Sequence, residues 1–353
     1  MPETSLTLEI DGTAIDPARL DRVLTVQVEE ATDRADAATV TALVEAGGDG
    51  EWTSLLDPLT EPRTQLVVEV ARGSAVYRFD GLSTEAGWEL DPDGRSQLTV
   101  KALDHTLELD AEEKVVAWPG TSDSGIAQAI FGDYGFAQQV EPTPAAPDPD
   151  VHVVIQRATD WGFLRSLAAK WGYAVYLESE LGRTTGHFHP LDPLADPDGE
   201  LLLGFGGQAG RVRVEAQLTA GQRVKAARIP PLSDAVEQGD ATGDDEAQGA
   251  RSLAAQATLL LSPADLEGEV EALAAATGLA RRSAYGLRLA VEVDAAQAGV
   301  VRARRTLLVK GLGSALSGPY LVERVRHRIE LTEHRMQIDL VRNAFGAGAG
   351  GLL

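Results

Sequence analysis

Gln156-Arg-Ala-Thr-Asp-Trp-Gly-Phe-Leu-Arg-Ser-Leu-Ala-Ala-Lys-Trp-Gly-Tyr173 reads as a complete helix with both of its ends marked. Thr159 precedes Asp160, so a hydroxyl can accept from the first free amides while the carboxylate sits at the positive end of the helix. Phe163, Leu164, Leu167, Ala168 and Trp171 recur at helical spacing and form one apolar face. Gly172 follows as the residue best suited to a left-handed C-cap. Tyr173–Leu177 then alternates as a strand.

Working outward, the same α+β character covers residues 106–204. Ser122 is placed to cap a second helix with Ile126, Ala129 and Ile130 on its buried face, stopping at Gly132 or Gly135. A Pro/Asp-rich loop from Glu141 to Asp150 leads to a strand over His152–Ile155. On the N-terminal side, residues 1–105 read as strands. Leu6, Leu8 and Ile10 alternate with polar residues before Asp11-Gly12, and further strands are predicted at Val23–Glu29, Ala38–Val44, Gln65–Val70, Val76–Phe79 and Gln97–Ala102, the last after a turn at Asp91–Gly94. On the C-terminal side, strands at 206–231 and 285–345 flank a stretch, 232–284, of acidic loop and Ala-rich helix. That helix is predicted to start at Ser262-Pro263, with Asp265 near the cap and Leu266, Val270, Leu273 and Ala274 as its buried stripe. Residues 346–353 form a Gly/Ala tail. The fold class is therefore α+β, mainly β, with small barrels or sandwiches on either side of an α+β unit.

Composition narrows the chemistry. The chain has 353 residues, 54 acidic against 31 basic, a formal charge of −23 and no cysteine. Thiolate metal sites, disulfide scaffolds and cysteine nucleophiles are excluded, and a general nucleic-acid or anionic-membrane binder is disfavoured. Met1–Gly12 lacks the regions of a signal peptide, and no run of 18 apolar residues occurs, so a soluble protein made in the cytosol without membrane binding is expected. His187 and His189 share a strand face at a spacing zinc sites use, but no further ligand is marked, and they read as exposed strand histidines. Gly311-Leu-Gly313 lacks the third glycine of a dinucleotide loop. Glu89–Gly94 opens like a calcium loop, but the twelfth position falls on Val100. No Gly-x-Ser-x-Gly elbow occurs, and no carboxylate pair is singled out for glycoside hydrolysis. No cofactor, metal or catalytic residue is expected.

Three stretches taken in order resemble a known family. They are Leu103–Asp110 with Trp118-Pro-Gly-Thr-Ser-Asp123, the helix stretch Gln156–Tyr173, and Gly318-Pro-Tyr-Leu-Val-Glu-Arg-Val-Arg-His327 with Gln337–Asn343. Together they are similar to the phage late control D family, the baseplate hub proteins of contractile tails, and to the N-terminal hub part of the VgrG spike proteins of type VI secretion. The matching positions are Trp118, Asp123, Asp160, Phe163, Leu164, Gly172, Gly318, Tyr320 and His327. The resemblance implies two tube-protein-like antiparallel β-barrels (1–105, and 206–231 with 285–345), an α+β domain between them (106–204) and a helical insertion in the second barrel (232–284). It implies a homotrimer that adapts a sixfold inner tube to a threefold spike, nucleates the tube and meets baseplate wedge components. Because the chain stops at Leu353, the spike is expected to be a separate polypeptide.

Charge is uneven along the chain: −13 over 1–105, −11 over 106–204, +4 over 205–231, −7 over 232–284 and +4 over 285–353. The acidic first barrel is therefore expected to abut the basic second barrel of a neighbouring chain. Arg324, Arg326 and Arg328 project from one strand face, with Arg302, Arg304 and Arg305 nearby in sequence. They form a candidate basic face, turned either to the subunit interface or to a lumen where nucleic acid or cargo would pass. Two other readings stay open: a β-rich surface- or carbohydrate-binding module, and a tail-associated glycoside hydrolase.

Overall fold

The computed structural model describes residues 4–47, 50–72, 75–91, 95–144, 148–150, 153–180, 182–204, 209–228, 237–242, 247–253, 257–261, 269–330 and 333–346. The predicted helix start at Ser262-Pro263 with Asp265 and Leu266, His152, Pro92–Gly94 of the predicted turn and all but Gly346 of the tail lie outside them.

The chain is mainly β, and a single 14-stranded sheet organises it. Its first half sets six strands side by side: Val23–Ala31, Ala37–Ala46, Gln97–Asp104, Ala75–Glu89, Gln65–Arg72 and Thr4–Ile10. Alternation puts Val26, Val28, Val40, Ala42, Leu98, Val100, Leu66, Val68 and Leu8 on one face, where they form a continuous core. The second half repeats the order of strands with Ala209–Ala216, Leu287–Asp294, His334–Arg342, Gly318–Ile329, Thr306–Lys310 and Gly199–Leu202 around Leu289, Val291, Ile338, Leu340, Val322 and Val309, except that its outermost pair is parallel where Thr4–Ile10 and Gln65–Arg72 are antiparallel.

The repeat holds at the level of register. The two long strands, Ala75–Glu89 and Gly318–Ile329, each change partner midway. Each carries a register shift at the same place, between Ser83 and Glu85 in one and between Val322 and Arg324 in the other. After the shifts, Glu85 faces Lys101 and Arg324 faces Asp339. Lys101 in turn faces Thr39, and Asp339 faces Ala290. One strand further, Val26 faces Val40 and Val212 faces Val291. Trp88 thus corresponds to His327, Leu90 to Ile329, Val26 to Val212 and Val28 to Val214. The halves join edge to edge within the chain, because residues 324–329 also pair antiparallel with 26–31.

Between the halves, the helices Asp123–Asp133 and Asp160–Trp171 pack with Leu109 and the sheet 137–140, 183–189, 174–180 around Phe131, Leu164 and Phe188. A two-stranded ribbon, Glu113–Trp118 with Val154–Thr159, leads into the second helix. Both caps stand as read: Ser122 Oγ accepts from Gly125 N–H at 3.1 Å and Thr159 Oγ1 from Gly162 N–H at 3.0 Å. On the first helix Ala127, not Ala129, joins Ile126 and Ile130 in the core.

Two segments sit elsewhere than the sequence suggested. Gln222–Arg228, expected in the second barrel, pairs with Glu237–Ala241 and Ala257–Leu261 in a separate sheet. Its Val224 and Ala226 face a small core with Ala272, Ala275, Ala276 and Ala280 of the helix Glu269–Ala284. Gly199–Leu202, expected in the middle unit, joins the second half by parallel pairing with Thr306–Lys310 and buries Leu201 there. On the helix Glu269–Ala284 the buried stripe is alanine, and Leu273 is exposed.

That small-residue stripe lets the helix come close to the end of the Asp160–Trp171 helix. Gly172 has φ +71°, and a Cβ there would lie 2.3 Å from Gly278 Cα. Gly172→Ala is expected to destabilise the fold by at least about 2 kcal/mol, combining the left-handed penalty with a backbone clash. Gly278→Ala isolates the clash, because alanine improves helix propensity by about 1 kcal/mol. In urea denaturation a net gain in stability for Gly278→Ala would refute the close approach.

Candidate functional site

The most heavily charged buried region lies where the two halves and the middle unit meet. Glu30 and Asp36 come from the edge of the first half, Arg302, Arg304 and Arg305 from the segment before Thr306–Lys310, and Tyr176, Glu178 and His187 from the middle sheet. Arg304 takes φ +65° at this turn and is buried, with Nη1 donating to Asp36 Oδ2 at 3.0 Å and Nη2 to the Ala31 carbonyl at 2.6 Å. Its guanidinium lies 4.3 Å from the Tyr176 ring centre. Arg302 Nε donates to Glu30 Oε1 at 2.9 Å and Nη2 to Glu178 Oε1 at 2.8 Å, and Arg305 Nη2 reaches the same Glu178 oxygen at 3.0 Å. Ala303 N–H closes the set on Glu30 Oε2 at 3.0 Å.

Titration follows from this packing. Burial pushes Asp36 up to about 7 against the pull of Arg304. Burial also raises Glu178, but the guanidinium groups of Arg302 and Arg305 outweigh it and hold the carboxyl below its usual range. His187 is buried rather than exposed, stacked on Tyr176 at 4.3 Å, and burial lowers it to about 4. Its Nδ1 lies 3.3 Å from His189 Nε2. Among the described residues no group of three or more His, Asp or Glu is arranged to hold a metal.

Arg302, Arg304 and Arg305 are therefore not a face open to a neighbour. They are largely enclosed and paired within the chain. Arg324, Arg326 and Arg328 do share one open face, but in the middle of the sheet rather than at its edge. Arg324 Nε donates to Asp339 at 2.8 Å, Arg326 Nε to Glu29 at 2.8 Å and Arg328 Nε to Glu330 at 2.9 Å. Beside them a groove of about 520 Å³ is lined by Glu292, Glu333, Arg335 and Gln337. The acidic first half and basic second half thus meet inside one chain.

The positions carrying the family resemblance all pack. Asp160 accepts from Lys114 Nζ at 2.6 Å, Gln156 Nε2 at 2.7 Å and the Tyr134 hydroxyl at 2.8 Å. Burial raises its carboxyl, and these bonds more than reverse that. Asp123 accepts from Trp171 Nε1 at 2.7 Å, and Trp118 Nε1 donates to Gln156 at 3.4 Å. Phe163 and Leu164 lie in the middle core. The Tyr320 hydroxyl donates to the Leu316 carbonyl at 2.7 Å, and Gly318, at φ +145°, gives room to the Arg342 guanidinium. His327 is fully buried, stacked on Tyr77 at 5.0 Å, with Nδ1 3.0 Å from His334 Nε2.

Solved structures of tail proteins share this fold. The chain is similar to the 43 kDa tail protein of prophage MuSo2 from Shewanella oneidensis (TM-score 0.68, 13% identity, covering 97% of this chain and 100% of that one). It is also similar to the tail protein from Neisseria meningitidis MC58 (0.63, 12%, 96% and 96%). A third likeness is to the E. coli c3393 protein, a type VI secretion component with structural similarity to the T4 tail proteins gp27 and gp5 (0.59, 9%, 98% and 79%). At these identities the likeness is one of fold. By sequence the chain belongs to the family described as the Alg8 N-terminal domain, whose model matches residues 2–228. That family, and not late control D, is the one matched. No curated protein matches the chain.

Proposed function

We propose that the chain is the structural hub of a contractile phage tail or injection machine, assembled in the cytoplasm into the particle. Three copies form a ring of six barrel-like halves that meets the inner tube on one side and a threefold spike on the other, with wedge proteins around it. The observation that carries this reading is the duplicated six-strand sheet joined edge to edge within one chain. Such a chain presents two like units where a tube protein presents one, so three chains reproduce sixfold spacing. The work is scaffolding and needs no catalysis or cofactor. We assign the Arg324–Arg328 row to the lumen rather than to a subunit interface, on the ground that both strands flanking it are already paired within the chain; Glu29, Asp339 and Glu330 neutralise it.

Native mass spectrometry of the full chain tests the reading. A trimer is expected, weakened as salt rises toward about 1 M if interchain charge pairing contributes. A monomer at every concentration, with and without the tube protein, would overturn it.

A further inference from the structure

Two large apolar side chains near the end of the long strand Ala75–Glu89 stand out. Trp88 is 53% exposed and Leu90 47%. Their counterparts in the second half, His327 and Ile329, are 0% and 4% exposed. The difference has one cause: the strand Val23–Ala31 runs beside 324–329, setting Val28 opposite His327 and Val26 opposite Ile329. No described strand occupies that place beside residues 85–90.

The strand that corresponds to Val23–Ala31 is Ala209–Ala216, at the far end of the same sheet. Among the described residues it is paired on one side only, with Leu287–Asp294. Its Val212 and Val214 are half-buried, whereas the equivalent Val26 and Val28 are fully buried. The chain thus carries both halves of a second junction at opposite ends of its sheet, each with an unpaired backbone edge.

We infer that Ala209–Ala216 of a second copy adds antiparallel to residues 85–90, repeating the junction that already joins the two halves of one chain. Carrying over the internal register places Trp88 opposite Val214 of the second copy, Leu90 opposite Val212 and Glu89 opposite Arg213. The charges suit this placement. Glu89 is exposed and bonded to Gln97, while Arg213 is exposed and paired with Glu215 on its own strand. Across the edge an acid meets a base, as Glu29 meets Arg326 inside the chain. The contact is head-to-tail, so it propagates from copy to copy and gives a ring where the rotation between copies closes. Only the number of copies rests on the hub reading.

The chain has no cysteine, so introduced pairs report alone. The full-length double variant Glu89→Cys/Arg213→Cys, mildly oxidised, is expected to give intermolecular disulfides on a non-reducing gel. The single variants and the displaced pair Glu89→Cys/Arg223→Cys are expected to give none. Trp88→Asp should weaken self-association roughly tenfold or more and leave the melting temperature of the dissociated chain, read at dilution, unchanged, since the side chain is half exposed there. Oligomers that neither cross-link at 89/213 nor respond to Trp88→Asp would overturn this contact and leave the ring standing. Equal cross-linking of the displaced pair would also overturn it. A monomer under all conditions would overturn both.

Discussion

Asp36→Asn is expected to cost about 3–5 kcal/mol of stability at neutral pH, more than Arg304→Met at the other end of the same ion pair. Both partners are buried, but their options differ once separated. A guanidinium cannot lose its proton, so Asp36→Asn leaves a buried, uncompensated cation. Asp36 is already pushed up to about 7 by burial. Without Arg304 it takes up a proton and becomes a neutral acid, still accepting from Ala31 N–H at 3.3 Å. The cost of Arg304→Met is then that of an incompletely satisfied polar group, about 1–3 kcal/mol. The pH dependence carries a sign. A carboxyl whose folded pKa lies above its unfolded value of 3.8 contributes stability fully present below 3.8 and lost as pH rises through the folded pKa. Removing Arg304 raises that pKa further, so the deficit of Arg304→Met should shrink as pH falls from about 8 to about 5. Urea denaturation of both variants at several pH values checks this. An Arg304→Met variant at least as damaged as Asp36→Asn at neutral pH would show that the asymmetry is absent.

Much of the fold is local and therefore legible. Alternation at Leu6, Leu8 and Ile10 gives the strand Thr4–Ile10, and the helix Asp160–Trp171 is bounded by the two residues that chemistry selects, Thr159 and Gly172. The mainly β, α+β class follows from such segments. What was hidden is pairing between distant segments. Nothing near Val23–Ala31 announces a partner at 324–329, and nothing in Val224 and Ala226 says that their face meets alanines rather than the second half. On the helix Glu269–Ala284 leucine is the stronger hydrophobic signal, yet close approach at Gly172 and Gly278 selects Ala272, Ala275 and Ala276 for the buried side.

The charged junction misled for a related reason. Arg302, Arg304 and Arg305 look like a surface run, since isolated arginines are rarely buried. A signal was present on the other partner. Val26, Val28 and Glu30 occupy one face of a strand, so the alternation that buries the valines buries an acid as well. A carboxylate on an apolar face asks for a cation. Val325, His327 and Ile329 pose the same question with a histidine. An ionisable residue at an inward position is more informative than a run of outward ones, and here each marks the seam between the two halves.

The histidines at and near that seam should make the fold acid-sensitive well above the carboxylate range. Burial lowers His327 and His334 to about 3 and His187 to about 4, from an ordinary 6.5. A depressed folded pKa means that the unfolded chain binds the proton first. The stability these neutral rings contribute is complete above pH 6.5 and is lost as pH falls toward the folded values. At pH 5 each ring costs about 2 kcal/mol, at about 1.4 kcal/mol per pH unit. Asp36 opposes this in the same window, because its raised pKa lets the folded state take up a proton there, offsetting about 2–3 kcal/mol. The net loss between pH 7 and pH 5 is then about 3–4 kcal/mol. The double variant His327→Phe/His334→Leu removes both polar partners together and keeps an aromatic ring beside Tyr77. Its loss over the same range should be smaller by about 4 kcal/mol, read as a flatter dependence of Tm on pH. Parallel profiles for the variant and the parent would mean that these rings are protonated in the folded state. The packing of His327 between Tyr77, Val28 and His334 argues against that, since it leaves the ring with no exposed surface and an imidazolium there would be desolvated.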